Sequence, residues 1–114
     1  MKIKFSPQVG NQFDIQYSIN GETITSTING EVDSFDLSVI TESNVFNGYE
    51  TNLPINPICK AFRNDEGLHV ELFKQINPNA SRAERFPEYF EFTDGVLNGW
   101  NKSDWKVWNC NKNT

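Results

Sequence analysis

Residues 58–76, ICKAFRNDEGLHVELFKQI, decide how the chain is built. Ile58, Lys60 and Phe62 share one parity and Cys59, Ala61 and Arg63 the other, while beyond the polar residues Leu68, Val70 and Leu72 alternate with His69, Glu71 and Phe73. A period of two on both sides of a turn is the pattern of strands that bury one face. Between the arms lies Asn64-Asp65-Glu66-Gly67, where the polar residues favour turn positions and Gly67 supplies the left-handed backbone that ends a short loop. The reading is a half-buried hairpin, because the Gly-containing turn interrupts any helical period. It speaks of fold and leaves chemistry open.

Working outward toward the N-terminus, Lys2 to Phe5 reads as a short first strand stopped by Pro7 and Gly10. Phe13, Ile15, Tyr17 and Ile19 alternate with Asp14, Gln16 and Ser18, and Asn20-Gly21 then turns the chain into a return strand from Glu22 to Ile28. A second pair, Asn29-Gly30, leads into a third strand from Val32 to Ile40, so the three form an antiparallel meander. Apolar parity switches between Val32 and the set Phe35, Leu37 and Val39, which predicts a bulge or a strand start nearer Ser34. Thr41 to Pro57 is rich in Asn, Gly and Pro and reads as a crossing loop pinned by Val45, Phe46, Tyr49 and Leu53.

Toward the C-terminus, Ser81 and Glu84 have capping-box spacing, which predicts one helical turn over Arg82 to Phe86, ended by Pro87. Tyr89 to Thr93 alternates as a strand up to Asp94-Gly95. Trp100, Trp105 and Trp108 all lie in the last stretch, which is open between helix and strand, and residues 109–114 read as a frayed polar tail.

At 114 residues the chain has the size of one domain, and its nine Phe point to a core of few large side chains. Ten basic against fifteen acidic residues give a net charge of −5, which disfavours a nucleic-acid backbone as partner. No apolar run reaches the ~20 residues of a membrane span or the form of a signal peptide, so the expected place of action is a cytoplasm. There Cys59 and Cys110 are expected as free thiols, and the sequons at Asn79 and Asn101 carry little weight.

The run from Arg63 to Leu72, followed by Arg85-Phe86-Pro87 and then Asp94-Gly95-Val96-Leu97, resembles small proteins encoded among the tail genes of tailed phages and prophages. The likeness covers about residues 58–97 and consists mostly of turn chemistry. It implies a virion-assembly or tail-associated role, in host cytoplasm or virion, and assigns no catalytic residues.

His69 and Glu71 share a strand parity and are the one pair suited to acid–base work, but no nucleophile motif accompanies them, so a solvent-face histidine in a polar cross-strand pair is expected. One histidine and two distant cysteines do not make a zinc site, and the spacing of Asp33, Asp36 and Glu42 is not that of a calcium loop. Neither a metal nor a cofactor is expected. The candidate interface residues are Trp100, Trp105 and Trp108, because tryptophan is enriched at binding hot spots, together with Arg82 and Arg85, which flank Glu84 and have the makings of an anion-binding fork. Each has an ordinary structural reading, the tryptophans as cover for a sheet face and the arginines as a solvated turn.

These readings converge on a single all-β or β-dominated domain of about six or seven antiparallel strands, closed as a sandwich or partly open barrel, with one short helical turn. The expected function is that of a non-enzymatic phage or prophage structural or assembly protein acting through protein–protein contacts, with no nucleic acid or membrane as partner. A β module that binds a carbohydrate or other small ligand is the alternative.

Overall fold

Two tight turns organise one half of the molecule. In the computed structural model, which describes residues 1–43 and 50–100, β2 (Ile15–Asn20), β3 (Thr23–Ile28) and β4 (Glu31–Asp36) form the expected meander. Asn29 and Gly30 both have positive φ, 52° and 82°, the type I′ geometry that matches the twist of paired strands. At the first turn Asn20 pairs with Thr23, so the loop is Gly21-Glu22, with positive φ at Gly21 alone, as in a type II′ turn. Ile15, Tyr17 and Ile19 of β2 and Ile24 and Ile28 of β3 are buried on one face.

The third strand is shorter than the sequence suggests. β4 pairs with β3 without a bulge and stops at Asp36, whose carboxylate accepts the Ser38 amide at 3.0 Å and caps a 3-10 turn over Leu37–Val39. No bulge is needed, because Phe35 is buried and Val32 exposed by the ordinary alternation of β4, and Leu37 in the turn is buried as well.

The hairpin is β5 (Ile58–Asn64) and β6 (Gly67–Ile76), with a register shift between Ile58 and Lys60. β1 spans Lys2–Val9 and lies parallel to β6 along its whole length, from Lys2 opposite His69 to Val9 opposite Ile76. β7 (Phe90–Glu91) is a two-residue strand antiparallel to β1, and β8 (Gly95–Trp100) pairs with β2. The two sheets therefore have the orders β5-β6-β1-β7 and β4-β3-β2-β8. The architecture is β-dominated and sandwich-like, with two open sheets, and its expected antiparallel pairing is broken once, by the parallel β1–β6 ladder.

Pro7 does not end β1. Met1 and Phe92 exchange backbone bonds of 3.1 and 3.0 Å, so odd-numbered residues of β1 turn their polar groups toward the β7 side. The missing N–H of Pro7 therefore falls on the outer edge, where no ladder bond is lost.

The interior between the sheets is apolar: Ile3, Ile24, Ile28, Leu37, Val70 and Leu72 are fully buried. Two polar side chains tie the sheets together across it. The Tyr17 hydroxyl donates to the Phe73 carbonyl. The Gln75 amide accepts the Phe13 N–H at 3.2 Å and donates to the Phe13 carbonyl at 2.7 Å, imitating a strand bridge where no strand runs. Arg63 adds a tie at the far end, bonding the Ile40 carbonyl at 2.6 Å and the Glu22 carboxylate at 3.0 Å.

Two substitutions test this account. A Cβ on Gly99 would stand 2.5 Å from Ile15 Cγ2 and 2.9 Å from Ile15 Cβ, so Gly99→Ala should cost about 2–3 kcal/mol through overpacking. Gln75→Leu leaves both backbone groups of Phe13 without their partner and should cost about 2–3 kcal/mol. Urea denaturation reads both, and a midpoint equal to that of the native chain in either case would refute the corresponding contact.

Candidate functional site

The face of the β5-β6-β1-β7 sheet that turns away from the core carries a cluster of rings and charges. Register places Phe62 opposite His69 and Lys60 opposite Glu71 across the hairpin, while Lys2 and Lys4 of β1 flank the same two β6 residues. Partners in a ladder point to the same side, so all six share a face. The Phe62 ring stacks on His69, with centroids 4.7 Å apart and planes within 10°. Tyr89 meets the same imidazole edge-on at 5.2 Å. Lys60 and Lys4 extend the stack as cations, at 5.3 Å from the Phe62 ring and 5.5 Å from the Tyr89 ring.

His69 is 6% exposed, against the expectation of a solvent-face histidine. It sits on an inner strand of its sheet, and rings from two neighbouring elements cover it. Its Nδ1 lies 3.0 Å from the Gly67 carbonyl, which can only accept, so Nδ1 carries the proton. Nε2 faces the Glu66 carboxylate at 4.0 Å, and Lys2 reaches the same carboxylate at 3.4 Å. Glu71 accepts the Tyr89 hydroxyl at 3.3 Å and lies 3.9 Å from Lys60.

These bonds leave the acid–base pair committed to holding the sheet face together. Burial pushes the Cys59 thiol above its usual pKa; a Ser6 hydrogen bond opposes the shift and the Glu71 charge adds to it. A thiol kept protonated in this way is a poor nucleophile. Burial and then the Cys59 charge likewise raise Tyr17.

Beside this face runs the segment that contains Arg82 and Arg85. The capping box forms as its spacing predicts: Ser81 Oγ accepts the Glu84 N–H at 3.2 Å, Glu84 returns to the Ser81 N–H, and α1 spans Arg82–Arg85. The two arginines do not form a common fork. Arg85 donates to the carbonyls of Ala80, at 3.0 Å, and Pro78, whereas the Arg82 guanidinium lies over the Phe86 ring at 5.4 Å.

Both arginines nevertheless border open grooves. One, of about 360 Å³, runs between β1 residues Lys4 to Pro7 and the facing wall from Arg85 to Pro87, with Glu71 at its floor. The other, of about 530 Å³, includes Arg82 and Glu88 and shares Phe86 and Pro87 with the first. Phe86 stands between them, 68% exposed.

The charges around these grooves are distinctive. Lys2, Lys60 and Arg63 each have a carboxylate within 4.0 Å, whereas Lys4, Lys74, Arg82 and Arg85 have none among the described residues. Lys74 rests over the Phe5 ring at 4.7 Å, opposite Pro7 in the ladder. Lys4 and Arg85 line the first groove and Arg82 the second, whereas Lys74 shares the sheet face of Phe5 and Pro7, opposite to that of Lys4.

Of the tryptophans, Trp100 ends β8 with its backbone opposite Ile15, and Trp105 and Trp108 lie outside the described residues. Among the described residues no cluster of His, Cys, Asp and Glu is able to hold a metal ion, and no helix is long and apolar enough to cross a membrane. Phe62, Tyr89, Lys4 and Phe86 were not marked by sequence pattern as site residues. The Phe62–His69 pairing was within reach of it, because a two-residue Asp65-Glu66 loop fixes that register.

Burial, then the charge and hydrogen bond of Glu71, push the Tyr89 hydroxyl from 10.0 up to about 12. The folded protein holds this proton more tightly than the unfolded chain, so the stabilisation is complete below pH 10 and is lost as pH rises through about 12. Phenolate absorbance should accordingly show a transition near pH 12 that Tyr89→Phe removes; a variant that instead loses a transition near pH 10 would refute the Tyr89–Glu71 contact. No protein-family model, no curated protein and no solved structure matches the chain.

Proposed function

We propose that the protein is a non-enzymatic structural or assembly protein that acts through contacts with other proteins, the role implied by the resemblance to phage and prophage tail-gene products, in host cytoplasm or virion. The observation that carries this reading is the groove between β1 and the Arg85 to Pro87 wall, with an exposed Phe86 ring at its rim and unpaired cations around it. An apolar anchor set among cations that have no carboxylate within 4.0 Å among the described residues is the composition of a contact surface. The ionisable groups on the neighbouring sheet face are engaged with one another, which favours binding over chemistry there.

A second reading has one observation in its favour. The Phe86 ring, open to solvent between two grooves, also suits stacking on the apolar face of a sugar.

A photoreactive benzoylphenylalanine in place of Phe86 distinguishes the two readings, with one in place of the exposed Val96 as control. In the source cell, position 86 should give a discrete adduct with a protein of a particle or assembly, absent from position 96. No adduct at 86, together with saturable glycan binding that Phe86→Ala abolishes, would replace the assembly reading with the ligand-binding one.

A further inference from the structure

β1 is a strand with unfinished hydrogen bonding. β6 pairs with all eight of its residues, but β7 meets it only at Lys2 and Ile3. The odd-numbered residues face the β7 side, so the outward groups beyond Ile3 are the N–H and C=O of Phe5, the C=O of Pro7, and the N–H and C=O of Val9. None of these has a backbone partner among the described residues. An antiparallel continuation of β7 would have brought residues 88 and 86 opposite Phe5 and Pro7. Instead Pro87 sits in that run, and the chain from Arg85 to Pro87 forms the opposite wall of a groove whose near wall is β1 itself.

We propose that this free edge of β1 accepts an acidic peptide in extended conformation, added in line with β7 and bonded to the backbone of Phe5, Pro7 and Val9. The proposal rests on the protein-contact reading and names the chemistry of the partner. Six residues from Lys4 to Val9 offer about 20 Å of edge, enough for a strand of ordinary length. Backbone bonding supplies affinity in such strand addition, and alternate side chains supply selectivity.

Charge identifies the occupant. Lys4 enters the groove from β1 and Arg85 from the opposite wall, and Arg82 borders the adjoining groove. All three lack a carboxylate within 4.0 Å among the described residues, whereas the groove's own Glu71 is held by Tyr89 and Lys60. Carboxylates at alternate positions of an added strand share one face, the face on which Lys4 lines the groove.

A second copy of the chain is the poorer occupant. Pairing β1 with its own twin would set Lys4 and Arg85 of each copy against like charges, and Pro7 withholds one donor from each side. Lysine and proline on an edge strand are ordinary defences against self-pairing. Here they leave room for a strand of opposite charge.

The test uses the full chain, isotope-labelled for amide NMR, and a capped nine-residue peptide alternating Glu and Thr. Binding should shift the Phe5 and Val9 amides and slow their hydrogen exchange, with no such effect from a peptide carrying Lys in place of Glu. Combined Lys4→Glu and Arg85→Glu should weaken binding by about tenfold or more while far-UV dichroism stays unchanged. Methylating the peptide's alternate backbone nitrogens should abolish it.

Three results would overturn the proposal: no protection of Phe5 and Val9 at millimolar peptide, equal binding by the methylated peptide, or protection that grows with protein concentration alone, which would identify a second copy as the occupant. A Phe86 adduct that persists alongside any of these leaves the protein-contact reading standing and removes only the strand-addition site.

Discussion

The parallel ladder between β1 and β6 is the constraint on which the rest of the fold depends. It joins the first eight-residue strand to one that arrives only after the meander and the crossing segment, so its contacts are among the least local in the chain. Closing so long a loop is costly, but the cost rises only slowly with length. The burial of Ile3, Val70 and Leu72 at the ladder's inner face offsets it. The topology then leaves the meander one place to go, the opposite sheet, because the β5-β6-β1 order occupies the first.

The same ladder explains the polar ties across the core. A strand entering β2 from the end of β1 has to leave one sheet and join the other within a few residues, and its backbone loses ladder partners while crossing. Gln75 supplies the missing partner for Phe13 at that crossing, fully buried and with both amide groups used. A buried amide with both ends satisfied stabilises a unique arrangement, whereas a half-satisfied one would favour neither sheet. Tyr17 performs the equivalent service one layer in, spending its hydroxyl on the Phe73 carbonyl.

How much of this was legible follows from sequence separation. The Asn29-Gly30 turn, the 58–76 hairpin and the Ser81–Glu84 capping box were readable because each is closed by residues a few positions apart. The parallel partner of β1 left no local mark, and without it Pro7 read as a stop and His69 as a surface residue. Both errors have one cause: which edge of β1 faces outward, and which rings cover β6, are set by strands far away in sequence. The first Asn-Gly turn shows a smaller limit, since only the Asn20–Thr23 pairing tells whether Gly21 opens the loop or closes it. Arg82 and Arg85 were placed correctly on their turn, while the groove that Arg85 lines depends on β1 lying across from it.

The free edge follows from the same topology. A β7 long enough to cover β1 would have continued through residues 86–88, which instead leave the α1 turn as the far wall of the groove. Withdrawing the segment exposes Phe86 and opens a groove at the cost of several unmade backbone bonds on β1. An edge left open in this way invites indiscriminate pairing. Lys4 and Arg85 beside it raise the cost of approach for a like copy and lower it for an acidic strand, so the same side chains protect the edge and favour one kind of occupant. Stability and recognition thus meet in β1, whose inner side chains build the core and whose outer backbone remains unpaired.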